Sequence, residues 1–541
     1  MFRIVAKRIS VKLALALALW SSSFSSGFCQ GDISAALVMI RLSSPGPVTA
    51  RGQILDKATL QNFYAGRGYN LAWDASGVGL GWRAAEIVST LAAADAEGLE
   101  PSDYHIGAIR ELAAATEESD KIDRDLLISD GLSRYARDMT VGRLSPAQTD
   151  ERAEAAKAFD QLDCLEFAAS LEPASLADFL AAFAPSTPEY KALKRLLAQL
   201  RLVADAGGWS PLMDGGTVHP GQHDPGVPSL RRRMIAEGRL SPSAGKLDSD
   251  LYDRPLAAAV AEFQRQHGLK PDGALGKDTR AALDTPVETR IHQAVVNLER
   301  LRWPPALTNG RRVEVNLAAY SLNVFQDGES VLAMPVVVGT PENPTPVLDS
   351  RIVAVVLNPN WTLPPAVIKE ILPKIKQNAN YLASHGIARE QEDGKVRLVQ
   401  PPGPTNPLGH YKFVIPNNQD IYLHDSPDAA KFRYENRTYS HGCVRLGNPA
   451  ALAALLLEDQ LNRLPDGLDV MVQTGSTRHI ALQKPVPVSL IYRTAWLDAD
   501  GDLVLGQDGY GRDQLLWAKM HKLRQFAAKR VVEHVGDAGT L

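Results

Sequence analysis

The chain has 541 residues, too many for one hydrophobic core and enough for three or four domains of ordinary size. With 45% apolar and 22% charged residues it has the balance of a globular protein, so no large part must be disordered. The net charge of −4 is small and basic residues are not gathered in one block, which gives nucleic-acid binding little support.

The first twelve residues carry Arg3, Lys7, Arg8 and Lys12, and a short apolar run follows, ending at Trp20. A basic start, an apolar run and small residues up to Cys29 make the pattern of a secretory signal peptide over residues 1–30. The run falls well short of the roughly 20 apolar residues that span a bilayer. Export is the expectation, with an uncleaved N-terminal anchor as the other reading. Phe28 before Cys29 makes a poor lipidation site. Without the leader only Cys164 and Cys443 are left, too few for a disulfide scaffold. Cys164 lies on a helical pattern over 159–167 and reads as a buried, inert thiol.

From about Ala35 to Val203 the apolar period is helical, with amphipathic segments at 84–94, 125–139, 175–184 and 191–204. This predicts a helical scaffold domain over 35–206. Its aromatic stretch Asn62–Trp73 reads as packing anchors around a tight turn, and no catalytic residue types cluster in it. Gly207-Gly208 and the Gly-, His- and Pro-rich run 214–228 mark a boundary. A small unit over 225–285 follows, with helices predicted at 227–234, 255–266 and 276–283. Leu256, Val260 and Phe263 share one helix face at i, i+4 and i+7.

A linking helix over 289–301 leads to a region of period 2. Strands are predicted at 313–317, 322–325, 331–338, 352–357, 411–415 and 421–424, together an antiparallel β region. Between Trp361 and Leu408 sits an insertion, 361–408, with one short helix at 366–372 and a Gly/Pro-rich exit. Placed just before the strand that carries His424, it suits a lid over a site or a stabilising insert. After Cys443, Asn448 is suited to cap a helix and Pro449 to begin it. Leu468–Gln473 and Val486–Tyr492 read as strands. In the C-terminal extension, 485–541, the Asp498–Leu503 stretch reads as a turn, since it lacks EF-hand ligand spacing. A basic tail helix is expected over 515–532.

Chemistry concentrates between Ile421 and Arg445. Cys443 follows His441-Gly442 and stands two residues before Arg445. A thiol attacks as thiolate, and a free one has a pKa of about 8.5, which Arg445 and His441 would lower. If the fold brings its strand alongside, His424 acts as proton acceptor, because imidazole titrates near neutrality. Gly442 permits a sharp turn that aims the Gly442 and Cys443 amides at a developing oxyanion. Tyr422, on the same strand face as His424, adds a further donor. A metal set of His424, Asp425, His441 and Cys443 is the competing reading. It lacks a short paired spacing, so neither metal nor cofactor is expected.

His424, fifteen intervening residues, then Ser440-His-Gly-Cys443 resembles the signature of the L,D-transpeptidase catalytic domain, here over 311–475. Strand 331–338 followed by Gly339-Thr-Pro-x-x-Pro-Thr-Pro346 is similar to that family's entry to the domain. The stretch Ala259–Gly273 resembles the peptidoglycan-binding domain-like family, and the whole order resembles the large L,D-transpeptidases of Gram-negative envelopes. Arg445 stands where many members have Asn, a change that the large subgroup shares. The resemblance implies a multi-domain α+β protein of the periplasm, built from a mostly-β catalytic domain with an inserted lid, a three-helix peptidoglycan-binding-like domain and a helical scaffold.

It implies further that Cys443 attacks the third residue, meso-diaminopimelate, of a tetrapeptide stem and expels the terminal D-alanine. His424 moves the proton, and His441 supports the loop. The side-chain amine of diaminopimelate on a second stem then resolves the thioester into a 3→3 cross-link. Trp361, Ser440 and Arg445 are the candidate substrate contacts. Peptidoglycan stems are the expected partners, and other cell-wall enzymes are candidates. Resolution by water would instead make the protein an L,D-carboxypeptidase. A non-catalytic peptidoglycan-binding protein is the reading from a different class.

Overall fold

A computed structural model describes residues 30–73, 80–144, 149, 160–212, 215–303, 310–392, 394–461 and 467–522. The expected leader up to residue 29 and the tail helix beyond 522 lie outside these residues; the tail is helical over 512–522. Among the described residues, no helix is long and apolar enough to cross a membrane.

Among its described residues, the N-terminal region is helical apart from one hairpin, Val48–Ala50 with Gln53–Leu55. Its axis is the Glu118–Val141 helix, which is buried on most sides because other helices surround it. That burial forces its polar groups to find partners. Asp125 accepts the Ala72 and Trp73 N–H groups, each at 2.9 Å, and the Trp73 indole donates to Ser129 at 2.8 Å. Phe63, Tyr64 and Trp73 are fully or nearly buried, so the aromatic stretch is a packing anchor.

A separate small core is built from 212–283. Its middle helix, Arg254–Gln266, is capped by Asp253, which accepts the Leu256 N–H at 3.0 Å, and starts with Pro255 in its first turn. Leu256, Val260 and Phe263 are buried as one stripe. Gly273, at φ +67°, lies so close to Ala257 that a Cβ would meet its carbonyl oxygen at 2.9 Å.

The third core fills a β barrel. Its strands are β1 Arg311–Asn316, β2 Ser321–Gln326, β3 Glu329–Gly339, β4 Leu348–Leu357, β5 Tyr411–Val414, β6 Leu423–His424, β7 Thr438–Ser440, β8 Val444–Leu446 and β9 Arg478–Ile491. The order is β7-β3-β8-β6-β5-β4-β9-β1-β2, and β2 pairs back onto β3, which closes the ring. The expected all-antiparallel pairing does not hold: β6–β8, β7–β3 and β9–β1 run parallel. A parallel pair needs a crossover, and residues 425–443 supply it for β6 and β8.

Two further expectations fail. Leu468–Gln473 is a helix, not a strand. Alternation would have buried Val470, which is 51% exposed, whereas Met471, three residues after Leu468, is buried. The insertion holds more than one helix. Trp361–Thr362, Ala388–Glu392 and Lys395–Gln400 make a three-stranded sheet beside helices Pro365–Gln377 and Tyr381–Ser384. Its base is pinned by the buried Asn406, whose amide donates to Pro359, Gln400 and Pro401 carbonyls at 3.0–3.2 Å.

The C-terminal segment ties the parts together. Asn297 and Gln293 on the Val287–Arg302 helix bond Thr494 and Gly506, with Nδ2 of Asn297 2.7 Å from the Thr494 hydroxyl. The turn at 498–502 presents Asp498 and Asp502 to Arg265 of the small unit, both at 2.7 Å.

Candidate active site

Three adjacent strands bring the candidate residues to one outer face of the barrel. Lys412 on β5 is opposite His424 on β6, and His424 is opposite Arg445 on β8. Opposite residues share a face of the sheet, and each next residue points the other way. Phe413, Leu423 and Val444 are wholly buried in the barrel core, so the row Lys412–His424–Arg445 faces outward. Tyr422 and Cys443 lie two residues back on the same face, and the Val444 N–H donates to the Tyr422 carbonyl at 3.1 Å. His424 and Cys443 are therefore diagonal neighbours on adjacent parallel strands.

The loop before the cysteine is locked from within. Gly442 has φ +117°, where a side chain would be strained. Its N–H donates to the Ser440 hydroxyl at 3.1 Å, and that hydroxyl donates to the Cys443 carbonyl at 2.5 Å. The Gly442 carbonyl accepts from Thr345 at 2.8 Å, while Thr345 Oγ1 accepts the Gly339 N–H at 2.9 Å. Tyr510, from the C-terminal segment, donates to the Gly339 carbonyl at 2.7 Å. Two sequence expectations change here. Ser440 is buried and its hydroxyl is used inside the loop, so it holds the loop instead of meeting substrate. The Gly442 N–H is already committed, which leaves the Cys443 N–H and the Tyr422 hydroxyl as the donors suited to an oxyanion.

His424 is 4% exposed, and its Nδ1 faces the Asp425 carbonyl at 2.5 Å. Burial first, and then the Arg445 charge, push its pKa down to about 3. Burial also raises the Cys443 thiol above its ordinary value, outweighing the lowering by Tyr422, Lys412 and Arg445. The thiol points at the Asp420 carbonyl, 3.8 Å away. The Arg445 charge expected to favour a resting thiolate does act on the sulfur, but desolvation wins. At neutral pH the site rests as neutral thiol and neutral imidazole, and the thiolate must be made during attack.

Tyr422 is tilted against His424 with ring centroids 5.6 Å apart, and its hydroxyl interacts with the Cys443 side chain and Trp361. Burial raises its pKa, so it stays protonated and able to donate. Trp361, on the first strand of the insertion, thus meets Tyr422. His441 is exposed, and its Nε2 is 3.1 Å from Glu370 on the insertion helix. Asp425 accepts the His410 N–H at 2.7 Å. Among the described residues no three His, Cys, Asp or Glu side chains gather as a metal site. Cys164 sits far from this chemistry in the helical region, and burial lifts its thiol to about 12.

Sequence reasoning missed Lys412, Thr345, Glu370 and Tyr510. Lys412 had one signal: it alternates with the buried Tyr411 and Phe413, so it had to lie on the outer face. The others depend on contacts between distant segments.

Three family models match the chain: a scaffold domain over 58–197, a candidate peptidoglycan binding domain over 223–283 and the L,D-transpeptidase catalytic domain over 310–472. A curated relative from Haemophilus influenzae, named as a candidate L,D-transpeptidase, is 34% identical over 251 residues, 43% of this chain and 50% of the relative. The chain therefore aligns with half the length of that relative. Among solved structures, an L,D-transpeptidase from Xylanimonas cellulosilytica is 20% identical, covering 51% of this chain and 98% of that one at a TM-score of 0.18. One from Stackebrandtia nassauensis is 16% identical, covering 52% and 97% at a TM-score of 0.21.

Proposed function

For a chain that carries an L,D-transpeptidase catalytic domain alongside peptidoglycan-binding and scaffold domains, we propose an exported enzyme that forms 3→3 peptidoglycan cross-links through a thioester on Cys443. The observation that carries this reading is the outward face that Cys443, His424 and Tyr422 share, with Tyr422 against Trp361 of the inserted subdomain.

On this reading the substrate carbonyl of diaminopimelate, third in a tetrapeptide stem, approaches Cys443 from the insertion side. His424 takes the thiol proton as the C–S bond forms, since a neutral imidazole is an acceptor. The oxyanion is met by the Cys443 N–H and the Tyr422 hydroxyl. Collapse expels D-alanine, whose amine receives the proton back from His424. The side-chain amine of a second diaminopimelate then attacks the thioester; the amide bond forms as the C–S bond breaks, and the amine proton passes through His424 to the Cys443 sulfur. Trp361 and Arg445 border the substrate on two sides. The domain at 223–283 would hold the glycan or stem near the site, in the periplasm. Access limited by the insertion gives the amine its advantage over water.

Mass analysis of stems digested from cell wall incubated with the protein tests this reading. Dimers linked 3→3 that are absent with Cys443→Ala are expected. Tripeptide stems without such dimers would make the protein a carboxypeptidase, and unchanged wall would leave a binding role.

A further inference from the structure

Lys412 is a half-buried lysine on the face that carries the nucleophile, and nothing in the reaction described above uses it. A lysine that merely covered the sheet would turn its ammonium to water. Here Nζ sits over the Tyr422 ring, 4.0 Å from the centroid. That ring belongs to the residue whose hydroxyl meets the Cys443 sulfur. Lys412 also stands directly opposite His424 in the strand register. The ammonium therefore occupies the β5 side of the site, while Arg445 occupies the β8 side.

We propose that Lys412 is a positioning residue for the nucleophile: its ammonium holds the Tyr422 ring so that the hydroxyl faces Cys443, and supplies positive charge when the sulfur loses its proton. A cation on the face of a phenol draws electron density from the ring. The O–H becomes a stronger donor to a thiolate, so one charge acts on sulfur twice, directly and through Tyr422. The other groups around the sulfur do not replace it. Arg445 is shared with Asp428, His441 is turned to Glu370, and His424 is uncharged. Burial lowers the Lys412 pKa, and the charge on Cys443 and then Asp420, in the turn before β6, work against that lowering.

The inference rests on Cys443 being the nucleophile, yet its test does not require turnover. The rate of iodoacetamide labelling of Cys443 in the full chain is followed against pH, with the modified peptide identified by mass so that other thiols do not contribute. In Lys412→Met the midpoint of the labelling curve is expected to rise by about one pH unit, so that labelling below it slows about tenfold. Lys412→Arg, which restores a cation, should recover most of the shift. An unchanged midpoint in Lys412→Met, with the melting temperature of the parent, would overturn the proposal. So would a Lys412→Arg curve identical to that of Lys412→Met. Absence of 3→3 linkage with a Lys412-dependent midpoint would sink the reaction and keep the inference.

Discussion

Cys443 and His424 rest uncharged, and this sets how the reaction should respond to acid. Burial holds His424 at about 3 and lifts the thiol. The competent state, with thiol and imidazole both neutral, should therefore persist across about pH 5 to 8. Acylation of Cys443 by a carbapenem, read as a rate on the intact protein, is expected to stay within about twofold over that range. An ordinary imidazole with a pKa of about 6.5 would cost roughly tenfold at pH 5.5. A fall centred near 6.5 would mean that His424 is charged at the start. At the same scale, Ser440 is predicted to matter without touching substrate. Ser440→Ala removes two hydrogen bonds that set the path of Gly442 and Cys443. Small displacements of a nucleophile are costly, so acylation should slow by about tenfold to a hundredfold. Chain stability should fall by only about 1–2 kcal/mol in denaturant titration. Parent-like acylation would show that the loop is held by Thr345 alone.

Between the elements, the contact that matters most joins the C-terminal segment to the catalytic loop. Tyr510 donates to the Gly339 carbonyl, Gly339 donates to Thr345, and Thr345 donates to the Gly442 carbonyl. Tyr510→Phe is expected to slow acylation several-fold and to cost about 1 kcal/mol in stability, with kcat falling more than KM rises. An equal change in both would place Tyr510 in substrate binding. This relay explains what could be read from sequence and what could not. Helices were legible where local signals agree: Asn448 caps as expected, and Leu256, Val260 and Phe263 form one stripe. His424 and Cys443 were legible as a pair from their spacing and residue types, and the fold places them on one face. Lys412, Tyr510 and Glu370 were not, because register across strands and contacts between segments far apart leave no local pattern. Leu468–Gln473 was misread because a six-residue stretch with four apolar residues satisfies both periods until its neighbours choose the buried face.

Across the whole molecule, three cores are joined by polar contacts, among them the Asn297–Thr494 pair and the Arg265–Asp498 and Arg265–Asp502 ion pairs. Two buried histidines make the assembly sensitive to acid. His424 and His267 both titrate below an exposed imidazole, chiefly because burial penalises the charged form. The unfolded chain then binds protons that the folded chain refuses. Their stability contribution is complete above about pH 6.5 and is lost as pH falls below it, by about 1.4 kcal/mol per pH unit for each group. Thermal melting should show the catalytic domain destabilised between about pH 6 and 4, with His424→Gln flattening that slope. A slope unchanged by the substitution would assign the acid sensitivity to carboxylates.

The central claim is that Cys443 is the residue acylated by substrate, on a face of the barrel it shares with His424 and Tyr422. Intact-protein mass spectrometry after exposure to a carbapenem, which on the proposed function is a reactive mimic of the stem, tests it most directly. The account predicts one added inhibitor mass on the parent chain, mapped to the peptide carrying Cys443, and none on Cys443→Ala. The same added mass on Cys443→Ala would contradict it.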